Sequence, residues 1–154
     1  MQCNSILIVE DDPDIREAIE LALQDAGYFV FTAEHGGVAQ EMLKKIPGPC
    51  LVLLDLMMPV MSGWEFVAQQ TELKKAVSAQ ASTFQVVVLT ALPAGNVWQT
   101  AELSNAAVGY IRKPFDLDQL LEIVAQYCKP AHLANVAHLA DWTGKAKATP
   151  LLRA

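Results

Sequence analysis

The chain is poor in cysteine, in charge and in long apolar runs, and each shortage removes a class of protein. Cys3, Cys50 and Cys128 are the only cysteines among 154 residues, an odd number set far apart with no Cys-x-x-Cys pair. That spacing suggests neither a disulfide framework nor a zinc site, and it predicts three reduced thiols, with Cys50 buried in a strand. Charged residues make up 18% of the chain and hydrophobic ones 53%, with a mean hydropathy of +0.25. This is too apolar for a disordered chain. Yet no unbroken apolar run approaches the roughly 20 residues that a membrane-spanning helix requires. Met1 to Ser5 contains no basic residue, and Ile6 to Val9 is too short for a signal peptide before the acids at Glu10 and Asp11. A globular, cytoplasmic protein without membrane attachment is expected.

Clustered basic residues are missing too. The net charge is −6; residues 131–154 carry Lys145, Lys147 and Arg153 against Asp141, a net +2, which leaves −8 on residues 1–130. A surface that tracks nucleic-acid phosphates needs grouped Lys and Arg, so no direct nucleic-acid binding is expected of this body. His35, His132 and His138 lack metal-ligand spacing and read as surface residues. Trp98 and Trp142 read as core or lid residues.

What is present is alternation. Five short apolar runs, Ile6–Val9, Phe29–Phe31, Leu51–Leu54, Val86–Leu89 and Val108–Ile111, are separated by stretches of helical periodicity. That is the pattern of an α/β protein with helices on both faces of a parallel sheet. Ile15, Ala18, Ile19, Ala22, Leu23 and Ala26 form one helical stripe, with Gly27 placed to end it. Further helices are predicted over Val38–Ile46, about Ser62 to Leu73, Asn96–Leu103 and Leu117–Val124, with Lys74–Thr83 as a loose linker. Residues 1–130 form one domain. Residues 131–154 form a tail, where Leu133, Val136, Ala137 and Ala140 allow one short helix before Gly144 and disorder thereafter.

Four of the five runs are followed at once by a group suited to phosphoryl chemistry: Glu10 and Asp11, then Asp55, then Thr90, then Arg112 and Lys113. In an open parallel sheet the carboxyl ends of the strands line one edge, where ligands bind, so these residues converge. Asp12 and Asp14, ahead of the first helix, are better read as capping residues. Three carboxylates together repel one another unless a cation neutralises them, and oxygen-only donors favour Mg²⁺. Asp11, Asp55 and a backbone carbonyl near Met57 suffice for that ion, with Glu10 acting through a water. Asp55 is then the nucleophile, and Lys113 and Thr90 hold the phosphoryl oxygens.

The segments Ile6-Leu7-Ile8-Val9-Glu10-Asp11-Asp12, Leu53-Leu54-Asp55-Leu56-Met57-Met58-Pro59-Val60-Met61-Ser62-Gly63, Val88-Leu89-Thr90-Ala91 and Gly109-Tyr110-Ile111-Arg112-Lys113-Pro114-Phe115 resemble the receiver domains of two-component response regulators, over residues 5 to 128. The resemblance implies a doubly wound, flavodoxin-like sheet of strand order 2-1-3-4-5. It implies Asp55 as phosphoacceptor, Glu10 and Asp11 as the acidic pair for Mg²⁺, Thr90 as switch hydroxyl, Tyr110 as the aromatic that turns with it, Lys113 as the phosphate-binding lysine, and a cis bond at Lys113-Pro114. Met57 and Leu92 occupy the family's two positions beside the path of the hydrolytic water. The implied partners are a histidine kinase or histidine phosphotransfer protein and a downstream protein, with the chain a monomer or a phosphorylation-dependent dimer. No helix-turn-helix or catalytic segment follows residue 130, which leaves a stand-alone regulator or a receiver cut from a longer protein. An aspartyl-phosphate phosphohydrolase is disfavoured because Met57 stands where that chemistry needs a second Asp, so the expectation is a switch and not an enzyme. An adaptor that never uses phosphate is disfavoured by the intact set of site residues.

Overall fold

A computed structural model describes residues 3–76 and 84–131. Five parallel strands, β1 (Ser5–Val9), β2 (Phe29–Ala33), β3 (Cys50–Asp55), β4 (Phe84–Thr90) and β5 (Ala107–Arg112), form one sheet in the order β2-β1-β3-β4-β5. They alternate with α1 (Pro13–Asp25), α2 (Gly36–Leu43), α3 (Gly63–Ala76), α4 (Ala101–Ala106) and α5 (Leu117–Tyr127). This is the doubly wound, flavodoxin-like architecture that the sequence predicts. The strands read as unbroken apolar runs because both faces are covered. Ile6, Ile8, Leu51, Leu53, Val87 and Leu89 pack with Ile19 and Leu23 of α1 and Leu120 and Val124 of α5. The alternate residues Leu7, Val9, Val52, Leu54, Val86 and Val88 pack with Ala39, Leu43, Phe66, Val67 and Leu103 from α2, α3 and α4. β1 pairs with β2 on one side and β3 on the other, so the chain reverses its direction of winding there and opens a crevice at the carboxyl ends of β1 and β3.

Helix ends follow local chemistry. The Asp12 carboxylate accepts hydrogen bonds from the Asp14 and Ile15 N–H groups at 2.9 and 3.0 Å, and Pro13 opens α1 without a wasted donor. Gly27, at φ +89°, follows Ala26 and turns the chain out of the helix. At α3 the Ser62 Oγ accepts from the Glu65 N–H at 3.2 Å while Glu65 Oε2 accepts from the Ser62 N–H at 2.8 Å, a reciprocal capping box. The half-buried His35 caps α2, its Nδ1 accepting from Gly37 and Val38 N–H.

Several expectations are corrected. α2 stops at Leu43, although Ile46 stays buried beyond it. α3 continues through Ala76 and absorbs the start of the expected linker, the rest of which lies outside the described residues. α4 begins at Ala101, not Asn96: residues Ala94–Asn96 make a 3-10 turn, and Thr100, extended at φ −127°, ψ 146°, accepts from the Leu103 N–H to start the helix. Cys3 and Cys128, expected as separate thiols, form a disulfide, because Cys3 bridges in parallel to the residue that ends α5. Cys50 is the buried strand thiol expected, and burial pushes its pKa up to about 12. The predicted tail helix, with His132, His138 and Trp142, falls outside the described residues. Among the described residues no helix is long and apolar enough to cross a membrane.

The β3–α3 loop and the first residue of α3 hold two positions of opposite tolerance. A Cβ on Gly63 would meet the Asp55 carbonyl oxygen at 2.6 Å and Leu56 Cα at 2.9 Å, both backbone. Val60 sits at φ +72° and is 87% exposed, a left-handed conformation that branched side chains resist. Gly63→Ala should therefore destabilise the fold by about 1–3 kcal/mol, and Val60→Asn should stabilise it by roughly 1 kcal/mol. Urea denaturation of the two variants checks both signs; a neutral Gly63→Ala would contradict the close approach.

Candidate functional site

The carboxyl ends of β1, β3, β4 and β5 lie along one edge of the sheet, and each delivers a polar residue to it. Glu10 follows β1 directly, its N–H donating to the Ala33 carbonyl at 3.1 Å, and its side chain is 1% exposed. Asp11 follows on the exposed side. Asp55 is the last residue of β3 and is 5% exposed; its Oδ1 accepts from the Met57 N–H at 3.0 Å, which orients the carboxylate. Lys113 follows β5, fixed by its own N–H donating to the Thr90 carbonyl at 2.9 Å. Its Nζ donates to Glu10 Oε2 at 2.6 Å and to Asp55 Oδ2 at 2.9 Å. The Lys113-Pro114 bond beside it is cis.

Carboxylate oxygens of Glu10, Asp11 and Asp55 lie within 4.8 Å of one another. Burial, reinforced by Asp55, raises the Glu10 pKa above the ordinary carboxylate value even though Lys113 opposes the shift. Burial disfavours the Lys113 ammonium, but its bonds to Glu10 and Asp55 outweigh that and raise its pKa. Three carboxylates thus face one ammonium. Oxygen-only donors at this spacing fit a hard divalent cation such as magnesium, which takes few protein ligands and keeps waters.

Thr90 ends β4 fully buried, its Oγ1 accepting from the Leu92 N–H at 3.3 Å. Tyr110, half-buried in β5, donates its hydroxyl to the Leu92 carbonyl at 2.7 Å, and its ring meets Trp98 edge-on at 6.5 Å between centroids. Trp98 is 44% exposed, at the rim of this face. Met57 points outward, 60% exposed, and Leu92 is half-buried in the β4–α4 loop. The structure brings Glu10, Asp11, Asp55 and Lys113 into one cluster, with Thr90 bonded to the Lys113 backbone. Tyr110 and Leu92 adjoin each other one step further along the β4–β5 side.

Two contributors escape sequence reading. Arg16, on the first turns of α1, donates from Nη1 to the Glu10 carbonyl at 2.8 Å and the Asp11 carbonyl at 3.4 Å, holding the loop that presents both acids. Trp64, on α3, donates its indole N–H to the Val97 carbonyl at 2.9 Å and ties α3 to the β4–α4 loop. A lone Arg or Trp carries no spacing signal, whereas the Ser62–Glu65 capping pattern is visible in the residues themselves.

Lys113 is the counter-ion of two nearly buried acids, so its removal leaves them facing each other. Lys113→Met should cost about 3 kcal/mol of stability in metal-free buffer, as expected when one partner of a buried ion pair is lost, and added divalent cation should restore part of it. Thermal melts with and without chelator check this; wild-type stability in chelator would contradict it.

The comparisons with known proteins agree with this geometry. Residues 6–125 match the family model described as the response regulator receiver domain. An uncharacterised 14.6 kDa protein of Leptolyngbya boryana is 34% identical over 123 residues, covering 80% of this chain and 88% of that protein. The DNA-binding transcriptional regulator RpaA of Synechocystis is 32% identical over 75% of this chain, which spans 45% of that regulator. The crystal structure of response regulator TrrA from Thermotoga maritima in complex with Mg²⁺-BeF superposes with a TM-score of 0.63 at 33% identity, covering 80% of this chain and 97% of that one. The chain therefore belongs to the response regulator receiver domains of two-component signalling.

Proposed function

We propose that the chain is a phosphorylation switch: a histidine kinase or histidine phosphotransfer protein donates a phosphoryl group to Asp55, and the phosphorylated form exposes an altered protein-binding surface. One observation carries this reading. Lys113 Nζ bridges Glu10 and Asp55 at the sheet edge, with Asp11 alongside. That arrangement sets an acceptor carboxylate between a cation and a candidate metal site. Asp55 attacks phosphorus in line with the departing donor nitrogen, forming the acyl phosphate as the phosphorus–nitrogen bond breaks. Lys113 and the Thr90 hydroxyl hold the equatorial oxygens. Glu10, Asp11, Asp55 and the Met57 carbonyl would hold magnesium, which when bound neutralises the acids and the charge on the transferred group.

The output follows from the same contacts. The new dianion draws the Thr90 hydroxyl away from the Leu92 N–H. Tyr110 then turns inward, which requires it to release the Leu92 carbonyl and leave the edge of Trp98. The face built from α4, β5 and α5 is the docking surface for a downstream protein, and the acidic body takes no part in nucleic-acid contact. We place the chain in the cytoplasm, as a receiver that is monomeric or dimerises on phosphorylation, and that acts on no substrate beyond its own aspartyl phosphate.

Incubation with Mg²⁺ and acetyl phosphate should add one phosphoryl group by mass spectrometry, and Asp55→Asn should abolish it; equal labelling of the variant would sink the assignment. Mg²⁺ alone should raise the melting temperature, by an amount corresponding to about 2.7 kcal/mol at a hundredfold excess over its dissociation constant, and Asp11→Ala should remove most of that rise. Signal lifetime depends on water reaching phosphorus, and neither Met57 nor Leu92 can hydrogen-bond it, so decay should be slow. Met57→Asn with Leu92→Glu should speed dephosphorylation roughly tenfold or more, given that positioning a reactant is worth at least about 1.4 kcal/mol. Unchanged decay in the double variant refutes that role.

A further inference from the structure

The disulfide between Cys3 and Cys128 lies at the other end of β1 from Glu10. Cys3 stands two residues before β1, and Cys128 is the residue at which α5 ends. Their Cα atoms are 4.6 Å apart, and the backbone holds them there: the two residues pair as a parallel bridge, and the Lys129 N–H donates to the Cys3 carbonyl at 2.8 Å. Such a separation suits a disulfide without backbone movement. The reduced state is also accommodated. Cys3 Sγ lies 3.8 Å from the Tyr127 carbonyl, an acceptor for its thiol hydrogen once the bond is open.

The pair is wired to the face expected to respond to phosphorylation. The Tyr127 hydroxyl donates to the Val108 carbonyl of β5 at 2.6 Å, and the Tyr28 hydroxyl donates to the Cys128 carbonyl at 3.4 Å. Both cysteines are buried at the edge of the core, but Cys3 joins the sheet outside the β1 ladder by an isolated bridge, so a reagent reaches the pair through local opening of the segment before β1. Cys50 is no competitor, since it is buried in β3 with its thiol pushed up to about 12.

We propose that Cys3 and Cys128 are a reversible dithiol–disulfide site, a redox input separate from the phosphoryl site, which fastens the end of α5 to the start of the sheet when oxidised. The oxidant is a disulfide, small or protein-borne. The Cys3 thiolate attacks one of its sulfurs and expels a thiolate; the Cys128 thiolate then displaces the second, closing the Cys3–Cys128 bond. Two electrons pass to the incoming disulfide, which leaves as two thiols carrying the protons. A dithiol reverses both steps. The closed loop spans 125 residues of sequence separation, so oxidation restricts nearly the whole unfolded chain.

The test uses the full chain treated with glutathione disulfide and then with dithiothreitol. Differential alkylation should map an intramolecular Cys3–Cys128 bond after the first reagent and two free thiols after the second, with Cys50 free throughout. Oxidation should raise the melting temperature by on the order of 10 °C and slow hydrogen exchange across Val124–Lys129, and dithiothreitol should reverse both. Cys3→Ser and, independently, Cys128→Ser should show neither response while still labelling Asp55 with acetyl phosphate. A bond that never forms in the folded wild type, one that forms but resists dithiothreitol, or one that leaves exchange at the end of α5 unchanged would each overturn the proposal.

Discussion

Burying like charges together is among the costliest things a protein can do, and this one does it at the point where its sheet reverses direction. Glu10 and Asp55 end neighbouring strands, both nearly excluded from water. Lys113, arriving from β5 two strands away, supplies the cation that allows them to remain side by side. The side chain must reach past the end of β4, so the order of strands and the length of lysine are linked. Every other feature of the site is arranged around that contact: Arg16 steadies the loop bearing the acids, Met57 orients Asp55 through its N–H, and Thr90 receives the Lys113 backbone.

From there a chain of contacts leads outward. Thr90 touches Leu92, Leu92 holds Tyr110, Tyr110 meets Trp98, and the neighbouring Val97 is bonded to Trp64 on α3. Each link is a single hydrogen bond or ring contact worth about 1 kcal/mol. A group as highly charged as an acyl phosphate would therefore outweigh any one of them. The links lie in loops and at strand ends, not in the core, so they can change while the sheet stays rigid.

Much of this is legible in the order of residues alone. β1, β3 and β4 announce themselves as apolar runs because strands covered on both faces have no polar side to show, and the acids and Thr90 at their ends stand out for the same reason. α1 carries its own stop and start signals in Asp12, Pro13 and Gly27. α4 starts later than its apolar spacing suggests because a six-residue helix with one buried side chain, Leu103, is too short to display a period. The Cys3–Cys128 pairing is invisible for a different reason: nothing local in either segment reveals that the start of the chain lies beside the end of α5. Arg16 and Trp64 act through backbone carbonyls, and a carbonyl leaves no trace in the choice of residue.

The strand order also dictates a sequence of events during synthesis. The acids of the site leave the ribosome first, at positions 10 and 11, and Asp55 follows about a third of the way through the chain. Their counter-ion at position 113 comes only after β4 has been made. A nascent chain halted before β5 holds its acidic residues without the lysine that reconciles them. The carboxylate cluster at that edge is therefore complete only once the last strand has been made and Lys113 follows it.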